Sequence, residues 1–125
     1  MEFDKLCTKE SHEKGAEVEI FDPASGESTE VFIHVLGPDS KAWRTAIKEQ
    51  TKAAIARKSD GEEVSFEDCE AELLAAVTIG WRGISRNGDD LPFSKEDCIT
   101  LYRSAPYILD QVNQFVGNRV NFTKG

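Results

Sequence analysis

The sequence predicts an α+β fold, a single domain in which an N-terminal antiparallel β-hairpin packs against about four α-helices. Apolar residues alternate with polar ones between Ala16 and Val35, which indicates two short strands. Beyond residue 40, apolar residues recur at three- and four-residue spacing, as in helices that bury one face. A chain of 125 residues buries roughly two-thirds of the surface that it exposes when unfolded, so we expect one core.

The domain is predicted to span residues 16–122. Residues 1–15 are polar and charged and offer little apolar surface to bury, so they are expected to form a flexible N-terminal arm. Residues 123–125 are expected to form a short C-terminal tail.

The predicted hairpin consists of two strands that flank Pro23-Ala-Ser-Gly26. One face should be buried, and the other should carry glutamates that discourage pairing with further strands. Because two strands alone are marginally stable, helices must cover the apolar face. The apolar face is expected to comprise Val18, Ile20, Val31, Ile33 and Val35, and the opposite face Glu17, Glu19 and Glu30.

The first predicted helix is capped by Asp39 or Ser40 and runs to about Lys58. Its inner stripe is expected to comprise Trp43, Ala46, Ile47 and Ala54. A row of cations recurs on a neighbouring face, at Lys41, Arg44, Lys48 and Lys52. Three interpretations of this row remain open: a solvated face, a face turned towards the chain's own carboxylates, or a surface that binds a partner. Under the third interpretation, its four members are the candidate partner-binding residues.

The second predicted helix is capped by Ser65. Its inner face is expected to carry Phe66, Leu73, Val77 and Trp81. Carboxylates cluster near its N-terminal end, where the helix dipole favours negative charge, at Glu63, Glu67, Asp68 and Glu70. They are interpreted as capping and solubilising residues, because no calcium-loop or Glu-x-x-His pattern accompanies them.

A long connection then joins this helix to the next one. Its Asn87-Gly88 dipeptide favours a turn whose backbone has positive φ. Pro92 precedes Ser94, which is predicted to cap the next helix and to form an approximate capping box with Asp97. Large apolar side chains should anchor the connection to the core, at Trp81, Ile84, Leu91 and Phe93.

Two further helices are predicted after this connection. The first runs from Lys95 to Arg103, and Ser104 is expected to cap the second. Pro106 falls in the first turn of the last helix, where its missing N–H costs nothing. The inward side chains are expected to be Cys98, Leu101 and Tyr102 in the first helix, and Ile108, Val112, Phe115 and Val116 in the second.

The composition disfavours several classes of function. The chain has 23 acidic and 15 basic residues, a net charge of −8, which disfavours general binding to nucleic acid or to anionic membranes. Cys7, Cys69 and Cys98 lack paired spacing, which indicates reduced thiols in a cytosolic compartment. No apolar stretch approaches the roughly 20 residues that span a bilayer.

Patterns that would indicate catalysis or metal binding do not occur. His12 and His34 have no cysteine or second histidine at metal-ligand spacing. The sequence contains neither a G-x-S-x-G nucleophile motif nor a glycine-rich phosphate-binding loop. We therefore expect a protein that is not an enzyme, with no catalytic residue, no metal and no cofactor.

Four segments follow one another in a distinctive order. Thr78-Ile-Gly-Trp-Arg-Gly-Ile84 precedes Asn87-Gly88 and Leu91-Pro-Phe-Ser-Lys-Glu96, and Pro106-Tyr107 follows after a helix. Over roughly residues 65–122, this order resembles the tail assembly chaperones of long-tailed (siphovirus-type) bacteriophages. In those chaperones, a helix ends in a Trp-x-Gly segment, a short turn that contains glycine follows, and a Pro-Phe-Ser stretch begins the next helix. The matching positions and the anchor Ile84 are interpreted as fold determinants, namely Trp81, Gly83, Ile84, Gly88, Pro92, Phe93 and Ser94.

The resemblance implies a small, non-enzymatic protein of a phage or prophage that acts in the cytoplasm of the bacterial host. Such a protein binds the tape measure protein, keeps it soluble and helps to recruit tail tube subunits. It is expected to be absent from the finished tail, and many members also occur as a longer product of ribosomal frameshifting. Self-association is a further expectation for the basic row, whereas nucleic acid and membranes are not expected partners.

Two other classes of protein share the size, the acidity and the lack of catalytic motifs. One is a small structural component of the virion, such as a tail-completion or head–tail connector protein. The other is a bacterial adaptor unrelated to phage. The presence of the protein in purified virions would indicate a connector, and a neighbouring gene for a very long helical protein would indicate a chaperone.

Overall fold

The computed structural model describes residues 2–7, 9–59 and 66–123, and the side chains of residues 2–7, 9–56 and 69–122. It confirms the predicted small α+β domain with an N-terminal β-hairpin. The elements in chain order are α1 (Phe3–Leu6), α2 (Lys9–Lys14), β1 (Ala16–Phe21), β2 (Ser28–Val35), α3 (Lys41–Ser59), α4 (Phe66–Val77), β3 (Thr78–Arg82), β4 (Ser85–Arg86), β5 (Asp89–Asp90), α5 (Lys95–Ser104), α6 (Pro106–Val116) and α7 (Val120–Thr123).

The predicted hairpin is confirmed, with β1 and β2 paired antiparallel so that Val18 lies opposite Ile33. The expected face is buried: Ile20, Ile33 and Val35 are fully covered, and Val31 is half-buried. The pairing register shifts between Ile20 and Phe21: Ile20 lies opposite Val31, whereas Phe21 lies opposite Ser28. Strand β2 is therefore irregular at Glu30, which lies between these two pairs. Glu30 has a φ of 63°, an uncommon conformation for a residue other than glycine.

The sheet has a third strand that the sequence analysis did not predict. The second helix was expected to continue to Trp81, but this prediction was wrong, because α4 ends at Val77 and the chain continues as β3. The β-branched Thr78 and Ile79 precede Gly80, and all three residue types are weaker helix formers than the leucines and alanines of α4. Strand β3 pairs antiparallel with β2 and places Trp81 opposite Ile33.

Some residues predicted for the second helix cannot be compared with the structure. Ser65 and Glu63 lie outside the described residues, as do the side chains of Phe66, Glu67 and Asp68.

Helices α4, α5 and α6 cover the apolar face of the sheet and complete the core. Tyr102, at the centre, is fully buried, and its hydroxyl lies 2.8 Å from the Thr78 hydroxyl. The Thr78 hydroxyl donates its single hydrogen to the Leu74 carbonyl at 2.7 Å, so Tyr102 is the donor to Thr78. The largest fully buried side chain of the core therefore has its polar atom paired.

Helix α3 is capped by Ser40, whose Oγ accepts a hydrogen bond of 3.2 Å from the Trp43 backbone N–H. Trp43 is half-buried and Ala46 is buried, as predicted. Ile47 and Ala54 were expected on the inner stripe, but this prediction was wrong and both are exposed. The reason is that α3 packs on α4 through the side that contains Ala46, and Ile47 lies about 100° further round the helix.

The start of α5 confirms one predicted cap, and the start of α6 contradicts another. Ser94 caps α5, because its Oγ accepts from the Asp97 N–H at 3.1 Å and donates to the Asp97 carboxylate at 3.0 Å. Ser104 is instead the last residue of α5, and Ala105 occupies the N-cap position of α6 without a side-chain hydrogen bond. The cap was misplaced because α5 extends one residue further than its pattern predicted. Pro106 opens α6 as expected.

The inward stripes of both helices are confirmed. In α5, Cys98 and Tyr102 are fully buried and Leu101 is half-buried. In α6 the buried members are Ile108, Val112 and Val116, and Phe115 is half-buried. Helix α6 also protects the free edge of β1, since the Gln111 amide donates to the Phe21 carbonyl and accepts from the Phe21 N–H, both at 2.8 Å.

Part of the N-terminal segment that was expected to form a flexible arm packs on the domain. Residues 9–14 form α2, and His12 is fully buried against the ring of Phe122, with ring centroids 5.2 Å apart. The Nδ1 atom of His12 accepts a hydrogen bond of 2.9 Å from the Asp39 N–H. Phe122 in turn belongs to α7, which ends at Thr123, the first residue of the predicted tail. The contacts of His12 with Phe122 and Asp39 therefore join α2 and α7 to the domain.

Burial makes His12 a source of pH-dependent stability. Burial lowers the pKa of His12 below its ordinary value of 6.5, and the nearby Arg119 and Arg44 act in the same direction, against the carboxylate of Asp39. The unfolded chain therefore takes up a proton at higher pH than the folded protein does. The stability that neutral His12 contributes is complete above the unfolded pKa and is lost as pH falls through the folded pKa.

We expect the urea midpoint of the wild-type protein to fall more steeply than that of His12→Asn between about pH 7.5 and about pH 5. Asparagine retains an acceptor for the Asp39 N–H but does not titrate, so it isolates the contribution of the imidazole. Equal losses of stability in the two proteins over this range would show that His12 does not control the pH response.

Candidate partner-binding surface

Trp81 connects the long loop after β3 to the core. Its side chain is half-buried and packs edge-on against the ring of Phe93, with ring centroids 5.0 Å apart. The indole Nε1 donates a hydrogen bond of 2.9 Å to the Leu91 carbonyl. Trp81 and Phe93 thus hold the two ends of the loop together, as anchors should, although Trp81 does so from a strand.

The loop between these anchors folds as a small hairpin of its own. Strands β4 and β5 pair antiparallel, with Asn87 and Gly88 as the two turn residues. Asn87 has a φ of 55° and Gly88 a φ of 86°, so the predicted positive-φ turn is confirmed. Of the other predicted fold determinants, Ile84 is half-buried and Pro92 is exposed just before the cap.

Gly83 is required where the end of β3 passes β2. It has a φ of 88°, and a Cβ atom at this position would collide with the carbonyl oxygen of Glu30. Glu30 lies at the irregularity of β2, so the two unusual backbone conformations meet at one point. The sequence pattern marked Gly83 as a fold determinant but did not reveal its contact.

The small hairpin and α5 enclose a cleft of about 280 Å³. Its apolar lining includes Trp81, Ile84, Leu91 and Leu101. The guanidinium of Arg86 and the carboxylate of Asp97 form an ion pair of 3.8 Å beside it. Two of the fold determinants, Trp81 and Ile84, therefore line a concave surface that the sequence patterns did not predict.

The four residues of the basic row lie on one helix, as predicted. Lys41, Arg44, Lys48 and Lys52 are all exposed on α3. Arg44 forms an ion pair of 3.2 Å with Asp39, which precedes the helix. Among the residues that the structure describes, the three lysines form no ion pair. The hairpin glutamate Glu17 pairs instead with Arg82 at 2.9 Å, so its carboxylate does not offset the row.

Two exposed isoleucines accompany the cations. Ile47 is 38% exposed and Ile55 is 63% exposed, and neither was predicted to face solvent. We define the outer face of α3 by its cations and isoleucines, namely Lys41, Arg44, Ile47, Lys48, Lys52 and Ile55. Ile47 follows Arg44 by three residues and Ile55 follows Lys52 by three, and this helical spacing is the signal by which the sequence could have revealed the face.

Two titratable groups of α5, the buried Cys98 and the partly covered ammonium of Lys95, have structural roles. Burial raises the pKa of the Cys98 thiol, even though hydrogen bonds with Thr78 and Tyr102 and the charge of Lys95 oppose this, so the group stays a thiol. Burial lowers the pKa of Lys95, whose ammonium donates to the Ala75 and Thr78 carbonyls at 2.6 and 2.7 Å. These bonds satisfy carbonyls at the end of α4, as a C-terminal cap does.

Metal binding and membrane insertion find no support in the described part of the chain. Over residues 2–7, 9–59 and 66–123, His, Cys, Asp and Glu do not gather in any group of three that could hold a metal ion. Within the same ranges, every helix is too short or too polar to cross a membrane.

Comparison of the chain with protein-family models, with curated proteins and with solved structures gives no match.

Proposed function

We propose that this protein is a tail assembly chaperone of a long-tailed bacteriophage or prophage. In this role it binds the tape measure protein, keeps it soluble and helps to recruit tail tube subunits. The observation that carries the proposal is the ordered set of residues from Trp81 to Ser94, which resembles that family and folds here as one anchored loop.

The surface of the domain suits a reversible binding role. A chaperone must cover apolar side chains of its partner during assembly and release them later, which favours a modest apolar area surrounded by charge. The outer face of α3 has this composition, with two exposed isoleucines among four cations. The proposal includes no catalytic step, and it places the protein in the host cytoplasm and not in the mature virion.

Co-expression with the tape measure protein tests the proposal. The partner to use is the tape measure protein of the same phage or prophage, and the measurement is its soluble fraction with and without this chain. We expect this chain to raise the soluble fraction and to co-purify with the partner. If the gene also gives a longer frameshifted product, as in many members of the family, that product should be supplied in a parallel culture.

Two results would contradict the proposal. One is an insoluble tape measure protein despite abundant folded protein, with any longer frameshifted form also supplied. The other is a fixed number of copies of this protein in purified virions, which would indicate a connector or tail-completion protein.

A further inference from the structure

We propose that the outer face of α3 binds an acidic amphipathic helix of the partner, with isoleucines against its apolar stripe and cations against its carboxylates. This inference rests on the proposed function for the identity of the partner, the tape measure protein. The surface itself is defined by the exposure and charge of its own residues.

The apolar part of the surface has the geometry of a helix-docking ridge. Ile47 and Ile55 are eight residues apart, which places them about 12 Å apart along the axis on neighbouring lines of the helix. Residues at multiples of four form the ridges that pack into the grooves of another helix. Both side chains are exposed, so a partner helix lying along α3 would bury them together. Packing on α4 uses another side of α3, which contains Ala46, Gln50 and Ala53, and leaves both isoleucines exposed.

The charged part of the surface has a single sign. Arg44, Lys48 and Lys52 lie beside the isoleucines, and the outer face contains no carboxylate. Glu49 is the only acidic residue of α3; it lines the groove between α3 and α4 and lies at the edge of the outer face, three residues before Lys52. A local excess of cations in a protein of net charge −8 attracts an acidic segment and orients it as it approaches.

A helix with an acidic flank satisfies both parts of this surface at once. Nucleic acid would match the cations, but it would leave the two isoleucines without apolar contacts, and the net negative charge of the protein would repel it. A purely apolar helix would bury the isoleucines and offer no acidic partner to Lys41, Lys48 and Lys52, which form no ion pair among the described residues. Charge complementarity with apolar contact therefore selects an acidic amphipathic helix.

The test uses three variants of the full chain and two helical ligands. Lys48→Glu/Lys52→Glu reverses the charge, and Ile47→Gln/Ile55→Gln removes the apolar contacts while keeping good helix formers. The matched control, Lys5→Glu/Lys9→Glu, makes the same change in net charge at exposed lysines of α1 and α2. The ligands are the tape measure protein and a synthetic helix with a leucine stripe flanked by glutamates. A synthetic helix with lysines in place of the glutamates serves as the ligand control.

We expect both α3 variants to bind each acidic ligand at least about tenfold more weakly than wild type, and the control variant to bind nearly as wild type does. The effect of the charge reversal should shrink above physiological salt, because screening weakens ion pairs, whereas the effect of the isoleucine change should persist. Circular dichroism and melting temperature should show that all three variants fold, since exposed charges contribute little to stability.

The outcomes separate this inference from the proposed function. Binding of the synthetic acidic helix through α3 without binding of the tape measure protein would support the surface and contradict the proposed function. Normal binding of the tape measure protein by both α3 variants would overturn the inference and leave the proposed function intact. Failure of wild type to bind either acidic ligand would overturn the inference, as would a preference for the lysine-flanked helix or for duplex DNA.

Discussion

Trp81→Ala is expected to lower the free energy of unfolding by about 3 kcal/mol, near the lower end of the range for removing a large core aromatic residue. The value lies at the lower end because Trp81 is half-buried rather than fully covered. The substitution removes the edge-on contact with Phe93 and the hydrogen bond to the Leu91 carbonyl, and so releases both ends of the loop. Urea denaturation followed by circular dichroism gives the free energy without depending on tryptophan fluorescence.

Trp81→Phe separates the ring from the hydrogen bond. It keeps an aromatic partner for Phe93 but has no N–H for the Leu91 carbonyl, so we expect a loss of about 1 kcal/mol. A urea midpoint for Trp81→Ala close to that of the wild type would mean that Trp81 does not anchor the loop.

Gly83→Ala is expected to destabilise the protein by about 2–4 kcal/mol, because it adds a collision with the backbone to an unfavourable backbone conformation. Gly83 has a positive φ, and its Cβ would meet the Glu30 carbonyl oxygen, which belongs to the adjacent strand and cannot move alone. The end of β3 and the irregular part of β2 would have to separate. The measurement is again the free energy of unfolding in urea.

Gly88→Ala is the matched control. Gly88 also has a positive φ, of 86°, but a Cβ there would have no atom within 4 Å. The substitution should therefore lower the free energy of unfolding by about 1 kcal/mol, through the unfavourable backbone conformation alone. If the two variants lose the same stability, the close approach of Gly83 to Glu30 makes no contribution to the fold.

Local sequence was sufficient for the parts of the structure that short-range rules govern. The turn at Asn87-Gly88 and the cap at Ser94 each depend on residues within a few positions, and both were predicted correctly. The same holds for the alternating strands of the hairpin and for the stripe of α6, since a buried face imposes its period on the sequence.

Part of the candidate surface could also be predicted from the sequence. The cations of α3 recur at helical spacing, and a helix with one basic face follows from that pattern alone. The exposure of the isoleucines was not predicted, because packing on α4 decides which side of α3 is buried and the hydropathy of α3 alone does not. Ile47 could have faced inwards by its composition, and contact through Ala46 directs it outwards.

The sequence by itself determined the α+β class, the hairpin, the loop turn, the cap of α5 and the charge of α3. Tertiary structure decided that the chain after Val77 becomes a third strand, because pairing with β2 adds to the weak helix propensity of Thr78, Ile79 and Gly80 and outweighs the apolar spacing that reaches Trp81. It also decided that His12 is buried, since Asp39 and Phe122 come from distant parts of the chain. In each case the deciding contact joins residues far apart in sequence, and short-range propensity contains no information about such contacts.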